Sequence, residues 1–151
     1  MNRRTFLASA FAVSAIPLIG SRPLPAFKAQ KLVIYKSPTC GCCAKWVDHV
    51  KASGFDAEVH DVADVNAIKA KHGVPNELFS CHTALADGFV FEGHVPADLI
   101  TKVLKEKPKI AGIAAPGMPI GSPGMEMGSR KDPHNIVAFT RDGKTSVYAQ
   151  R

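Results

Sequence analysis

Four residues, Cys40-Gly41-Cys42-Cys43, constrain this chain more than any others. They follow an apolar, β-branched run, Lys31-Leu32-Val33-Ile34-Tyr35-Lys36, which reads as a buried strand and is broken by Ser37-Pro38-Thr39. From Gly41 to Ser53 the positions Cys43, Val47 and Val50 fall on one helix face with Trp46 beside them, and Gly54 stops the helix. The cysteines therefore sit at a strand–helix junction. Free N–H groups and the helix dipole lower a thiol's pKa at such a place.

The remaining pattern extends this start into an α/β fold. Phe55 to His60 alternates loosely as a second strand. Asp64 caps a second helix with an expected inner face of Val65, Ile68 and His72, closed by Gly73 and Pro75. Cys81 to Ala86 and Phe89 to Gly93 flank Asp87-Gly88, a strong two-residue hairpin signal. Pro96 suits the first turn of a last helix running to about Lys105, with Leu99, Ile100, Val103 and Leu104 inward. The order β-α-β-α-β-β-α, with a cysteine pair at its first junction, is the layout of the thioredoxin-like fold, expected here over residues 31–106.

Residues 107–133 depart from that plan. They are rich in Gly and Pro and repeat Pro116-Gly117-Met118 as Pro123-Gly124-Met125. A loop of this length in a compact domain is usually functional or disordered. Residues 134–151 then supply a C-terminal β-hairpin, Asn135 to Thr140 and Thr145 to Ala149 around Asp142-Gly143, expected to pack on the core at one sheet edge.

The first 29 residues read as an export signal. Asn2-Arg3-Arg4 leads into an apolar run from Phe6 to Gly20 and then a small, Pro-rich stretch with Ala26 and Ala29 as cleavage positions. The run falls short of the roughly 20 apolar residues that span a bilayer, and Pro17 interrupts it, so no stable membrane insertion is expected after cleavage. The arginine pair before Thr5-Phe6-Leu7 resembles a twin-arginine signal. The expected compartment is the periplasm, where disulfides persist. Arg3, Arg4, Arg22 and Lys28 lie in this segment, leaving 15 basic against 13 acidic residues and a net charge of +2 in place of +6. With no basic block left, no nucleic-acid partner is expected.

Cys40 and Cys43 form a C-x-x-C pair suited to thiol exchange, with Cys40 attacking and Cys43 resolving. Cys42 changes that balance. A third thiolate inside the motif invites misplaced bridges in an oxidoreductase, whereas a thiophilic metal gains from three sulfurs converging on one helix end. Cys81 opens the third strand, across from the first junction in this layout, where thioredoxins place a cis-proline; here the segment is Ser80-Cys81-His82-Thr83. The bland alternative is two stabilising disulfides, for instance Cys40–Cys43 and Cys42–Cys81. His94 closes its strand at the same edge and is a candidate nitrogen ligand. His82 is a weaker one, since strand alternation would turn it to the opposite face from Cys81. His49, His60 and His72 read as surface or helix-face residues, and His134 is unplaced. Met118, Met125 and Met127 lie in the polar loop, where soft thioethers suit Cu(I) but would equally pack against the domain.

Tyr35 to Cys43, Ser80 to Ala84, Glu92 to Ala97, Pro116 to Pro119 and Gly121 to Glu126 together resemble the CopG-type copper-resistance proteins, periplasmic metal-binding proteins of a domain family long described as of unknown function. The resemblance covers about Lys31 to Arg151. It implies a thioredoxin-like domain binding copper, in a site that could hold more than one ion, through Cys40, Cys42, Cys43 and Cys81, with His94 as the nitrogen ligand. Met118 and Met125 are further candidate copper ligands, in a loop that would form a lid. The expected function is copper sequestration or cycling between Cu(I) and Cu(II), alongside other periplasmic copper-handling proteins. The competing reading is a thiol–disulfide oxidoreductase using Cys40 and Cys43. A structural Cys₄ zinc site fits less well, because zinc favours paired C-x₂-C spacing.

Overall fold

A computed structural model describes residues 29–151; apart from its last position, the expected export segment lies outside the described residues. The chain runs β1 (Lys31–Lys36), α1 (Gly41–Ala52), β2 (Asp56–Asp61), α2 (Val65–Lys71), a 3₁₀ turn (Asn76–Leu78), β3 (His82–Ala86), β4 (Phe89–Gly93), α3 (Ala97–Glu106), β5 (Gly112–Ala115), β6 (Asn135–Phe139) and β7 (Thr145–Gln150). These strands form one sheet in the order β2-β1-β3-β4-β5-β6-β7. β1 and β2 are parallel, as are β4 and β5, and the other neighbours are antiparallel.

Alternation along the strands builds two cores. Leu32, Ile34, Ala84, Phe91, Ile113 and Ile136 pack with Trp46, Val47 and Val50 of α1 and Ile100 and Val103 of α3. Val90, Ala114 and Phe139 point the other way, onto Val74 and Leu78 after α2. The larger cluster holds both long helices to the sheet, at about 25 cal/mol per Å² of apolar surface removed from water.

Local chemistry sets the helix starts. After the Pro38-Thr39 turn Cys40 is extended and caps α1, its sulfur accepting from the Cys43 N–H at 3.3 Å. The Asp64 carboxylate accepts from the N–H groups of Asn66 and Ala67.

Two expectations are corrected. The loop expected over 107–133 contains β5, so the sheet has seven strands where six were expected. Gly112-Ile113-Ala114-Ala115 is too short and too small-sided to show a strand period, yet it is fully buried between β4 and β6. The inner face of α2 also differs. Val65, Ile68 and His72 are only half-buried, and the fully buried residue is Lys69. Its ammonium reaches Glu92 and Thr83 beneath the sheet, which apolar periodicity cannot register.

Candidate metal centre

The site lies where the C-terminal end of β1 meets the start of β3. Cys40 and Cys43 are joined in a disulfide, and Cys42 and Cys81 are free and half-buried. Cys42 Sγ stands 3.5 Å from Cys40 Sγ and 3.9 Å from Cys81 Sγ. Cys43 Sγ lies 3.8 Å from the carbonyl oxygen of Cys81. All four sulfurs fall within 4.8 Å of one another. The four cysteines singled out in the sequence are thus one cluster, at the N-terminus of a twelve-residue helix.

His94 joins it. Its Nε2 is 2.9 Å from Cys81 Sγ, and its Nδ1 is 2.7 Å from the carbonyl oxygen of Pro123. A carbonyl only accepts, so Nδ1 carries a proton and donates it. Burial pulls the His94 pKa down, outweighing the Pro123 bond that raises it, so the ring is neutral. Nε2 then presents a lone pair to the cluster, accepting from the Cys81 thiol. A metal-binding histidine is commonly oriented in this way by a partner on its other nitrogen.

His82 corrects the expectation from alternation. Its ring is fully buried, 4.3 Å from the Trp46 ring and edge-on to His94 at 5.0 Å, with Nδ1 3.4 Å from Cys81 Sγ. Cys81 sits in a bend before β3 begins at His82, so the two residues do not share a strand period. Cys81, His82 and His94 form a second ligand-bearing group within 4.8 Å. Among the described residues His82 Nε2 finds no hydrogen-bond partner. Burial, foremost, and the neighbouring His94 hold its pKa well below the usual value, so this ring is neutral too.

Cys81 is the most perturbed thiol, pushed up to about 12 by burial first and by Cys42 second. The metal-free site is therefore uncharged at this sulfur. The donors are four sulfurs and two imidazoles, with no carboxylate among them. Such a set suits a soft, thiophilic ion such as Cu(I) and suits Mg²⁺ or Ca²⁺ poorly.

The loop after β5 folds over this cluster. A Cβ on Gly124 would lie 2.8 Å from the Cys42 carbonyl oxygen and 2.9 Å from the Trp46 nitrogen, so only glycine lets the loop press so closely on α1. Glu126 accepts from the Gly124 N–H at 2.9 Å and steadies this turn. Met125 and the exposed Met127 line an open cleft of about 350 Å³ with Gly41, Cys42 and Lys45. Met118, 43% exposed in its own turn, is not part of that lining. A larger hollow, about 430 Å³, opens at the other end of β1 and β3; it includes His72 and Asp87 but no thiol. His49 accepts from the Ala97 N–H, and His60 pairs with Glu58 at the surface.

A family model described as "Protein of unknown function, DUF411" matches residues 78–125, which take in Cys81, His82, His94 and Met125. No curated protein matches the chain. Two solved structures do, titled "Copper resistance protein copG- Form 2" and "Copper resistance protein copG- Form 1". The first is 44% identical with a TM-score of 0.78, covering 82% of this chain and 99% of its own. The second is 45% identical with a TM-score of 0.78, covering 82% of this chain and 98% of its own.

Proposed function

This chain belongs to the family of copper resistance protein CopG, and from that premise we propose that it is an exported periplasmic protein that binds copper at the Cys40–Cys42–Cys43–Cys81 cluster. Its role in copper resistance is sequestration, or cycling of the metal between Cu(I) and Cu(II). The observation that carries the reading is the convergence of four sulfurs and two imidazoles at one end of the sheet. His94 Nε2 is the nitrogen ligand best prepared, since its other nitrogen is held by Pro123.

The thiol pair gives the cycling reading its chemistry. Cys42 and Cys81 stand 3.9 Å apart. Joining them as a disulfide releases two protons and two electrons, enough to reduce two Cu(II) to Cu(I). Reduction of the Cys40–Cys43 disulfide by an external dithiol would bring two further thiolates to the same place. Several sulfurs this close can bridge, so more than one copper ion fits the reading. The loop between β5 and β6 acts as a lid, with Met125 and Met127 lining the cleft beside Cys42 as soft donors. The order β2-β1-β3-β4, with β1 parallel to β2 and antiparallel to β3, supports a thioredoxin-like reading of residues 31–106.

A second reading, thiol–disulfide exchange by Cys40 and Cys43, is favoured by the disulfide at the start of α1. One experiment separates the two. Reduced, anaerobic protein is loaded with Cu(I), dialysed and assayed for metal, beside Cys42→Ser and Cys81→Ser. The copper reading predicts that each variant loses about half or more of its bound copper. Unchanged stoichiometry in both, with insulin disulfide reduction intact and abolished only in Cys40→Ser, would hand the site to the oxidoreductase.

A further inference from the structure

We propose that the buried network of Lys69, Glu92 and Thr83 is a positioning device for Cys81, gripping the Ser80–Cys81 bend so that the sulfur faces Cys42 and His94.

Glu92 lies mid-sheet on β4 and is fully buried, and Lys69 of α2 is 1% exposed. The Lys69 ammonium donates to Glu92 Oε1 at 2.6 Å and to Thr83 Oγ1 at 3.1 Å. The Thr83 hydroxyl donates to Glu92 Oε2 at 2.7 Å. One further donor reaches the carboxylate: the backbone N–H of Ser80, 2.6 Å from Oε1. Ser80 belongs to no strand, and its neighbour is Cys81. A buried ion pair adds little net stability over a well-packed apolar pair, because desolvation offsets the attraction. What this pair does that an apolar pair could not is present an oriented acceptor to the Ser80 amide.

The next residue tightens the grip. A Cβ on Gly93, whose φ is +71°, would lie 2.4 Å from Ser80 Oγ. Ser80 is seated in the space that a side chain at 93 would fill. Then comes His94, whose Nε2 meets Cys81 Sγ at 2.9 Å. Three consecutive residues, the last two of β4 and the one that follows it, thus hold two consecutive residues before β3. Glu92 binds the Ser80 amide, Gly93 receives its side chain, and His94 faces the Cys81 sulfur. Glu92 and Lys69 touch no sulfur themselves, so their action on the site runs through the bend.

The inference rests on the copper reading for its purpose, but its test uses no metal, so failure of one leaves the other standing. Two neutral double variants isolate the Ser80 contact without stranding a buried charge. Lys69→Met with Glu92→Gln keeps an amide oxygen for the Ser80 N–H, and Lys69→Met with Glu92→Leu removes it. Iodoacetamide labelling of the copper-free mature protein, read by peptide mass spectrometry, gives the rate at Cys81 relative to Cys42. The Gln pair should stay within about two-fold of the parent, and the Leu pair should label Cys81 about ten-fold faster as the bend opens. Equal Cys81 rates in the two pairs at similar Tm would overturn the proposal. A second measurement needs no variant: the Ser80 amide of the parent protein, though outside any strand, should exchange its hydrogen about a thousand-fold slower than an open loop. Exchange at loop rates would equally overturn it.

Discussion

Burial and the adjacent Cys42 push the Cys81 pKa up to about 12, so in the metal-free protein this thiol keeps its proton near neutral pH. A copper ion bound at that sulfur must displace the proton. Raising the pH weakens the competing proton, so affinity must rise with pH. The logarithm of the Cu(I) binding constant should climb by about one per pH unit for each thiol proton displaced, which competition against a chromophoric chelator measures; a flat profile would mean that Cys81 is not a ligand. His94 makes a separate prediction, because the Pro123 carbonyl fixes its tautomer. His94→Ala should weaken copper binding about ten-fold or more while leaving the sulfur ligands in place, seen as retained thiolate-to-metal absorption at a higher dissociation constant. Cys40, Cys42, Cys43 and His94 were legible in the sequence because breakers end the elements before them, Pro38 before the first cysteines and Gly93 before His94. Cys81 was legible because the fold layout sets the start of the third strand across from the first junction. His82 was not, because its orientation depends on where β3 begins, and that start lies one residue after Cys81.

Among the elements, the loop following β5 makes the closest approach to the site that still depends on a single residue. Gly124 has φ +84° and a would-be Cβ against the backbone of α1. Gly124→Ala should therefore destabilise the protein by about 2 kcal/mol, through overpacking and a strained backbone together. Thermal unfolding measures the loss, and faster alkylation of Cys42 would show the loop lifting; an unchanged Tm with unchanged Cys42 labelling would mean that the loop does not cover the thiol. The helices, the first hairpin and the C-terminal hairpin were readable from period and punctuation, since Asp64, Asp87-Gly88 and Asp142-Gly143 act locally. β5 was hidden because a four-residue run with three small residues, Gly112, Ala114 and Ala115, gains strand character only from β4 and β6 on either side. The buried face of α2 was hidden for a related reason: Lys69 is inside only because Glu92 and Thr83, distant in sequence, are there to receive it.

Across the whole molecule, a seven-stranded sheet places the four cysteines, His82 and His94 at one end of its strands. β5, β6 and β7 widen the sheet beyond β4, and the chain leaving β5 returns over the cysteines before entering β6. Among the described residues no helix is long and apolar enough to cross a membrane. Among the described residues this architecture groups soft sulfur and imidazole donors at a partly covered opening, which supports copper as the proposed cargo. X-ray absorption at the copper edge, on anaerobically loaded mature protein, tests that claim most directly. Copper held at the cysteine cluster should show a first shell dominated by sulfur, with an imidazole component that disappears in His94→Ala. A shell of oxygen and nitrogen without sulfur would contradict it, because the metal would then be bound elsewhere than at the cysteine cluster.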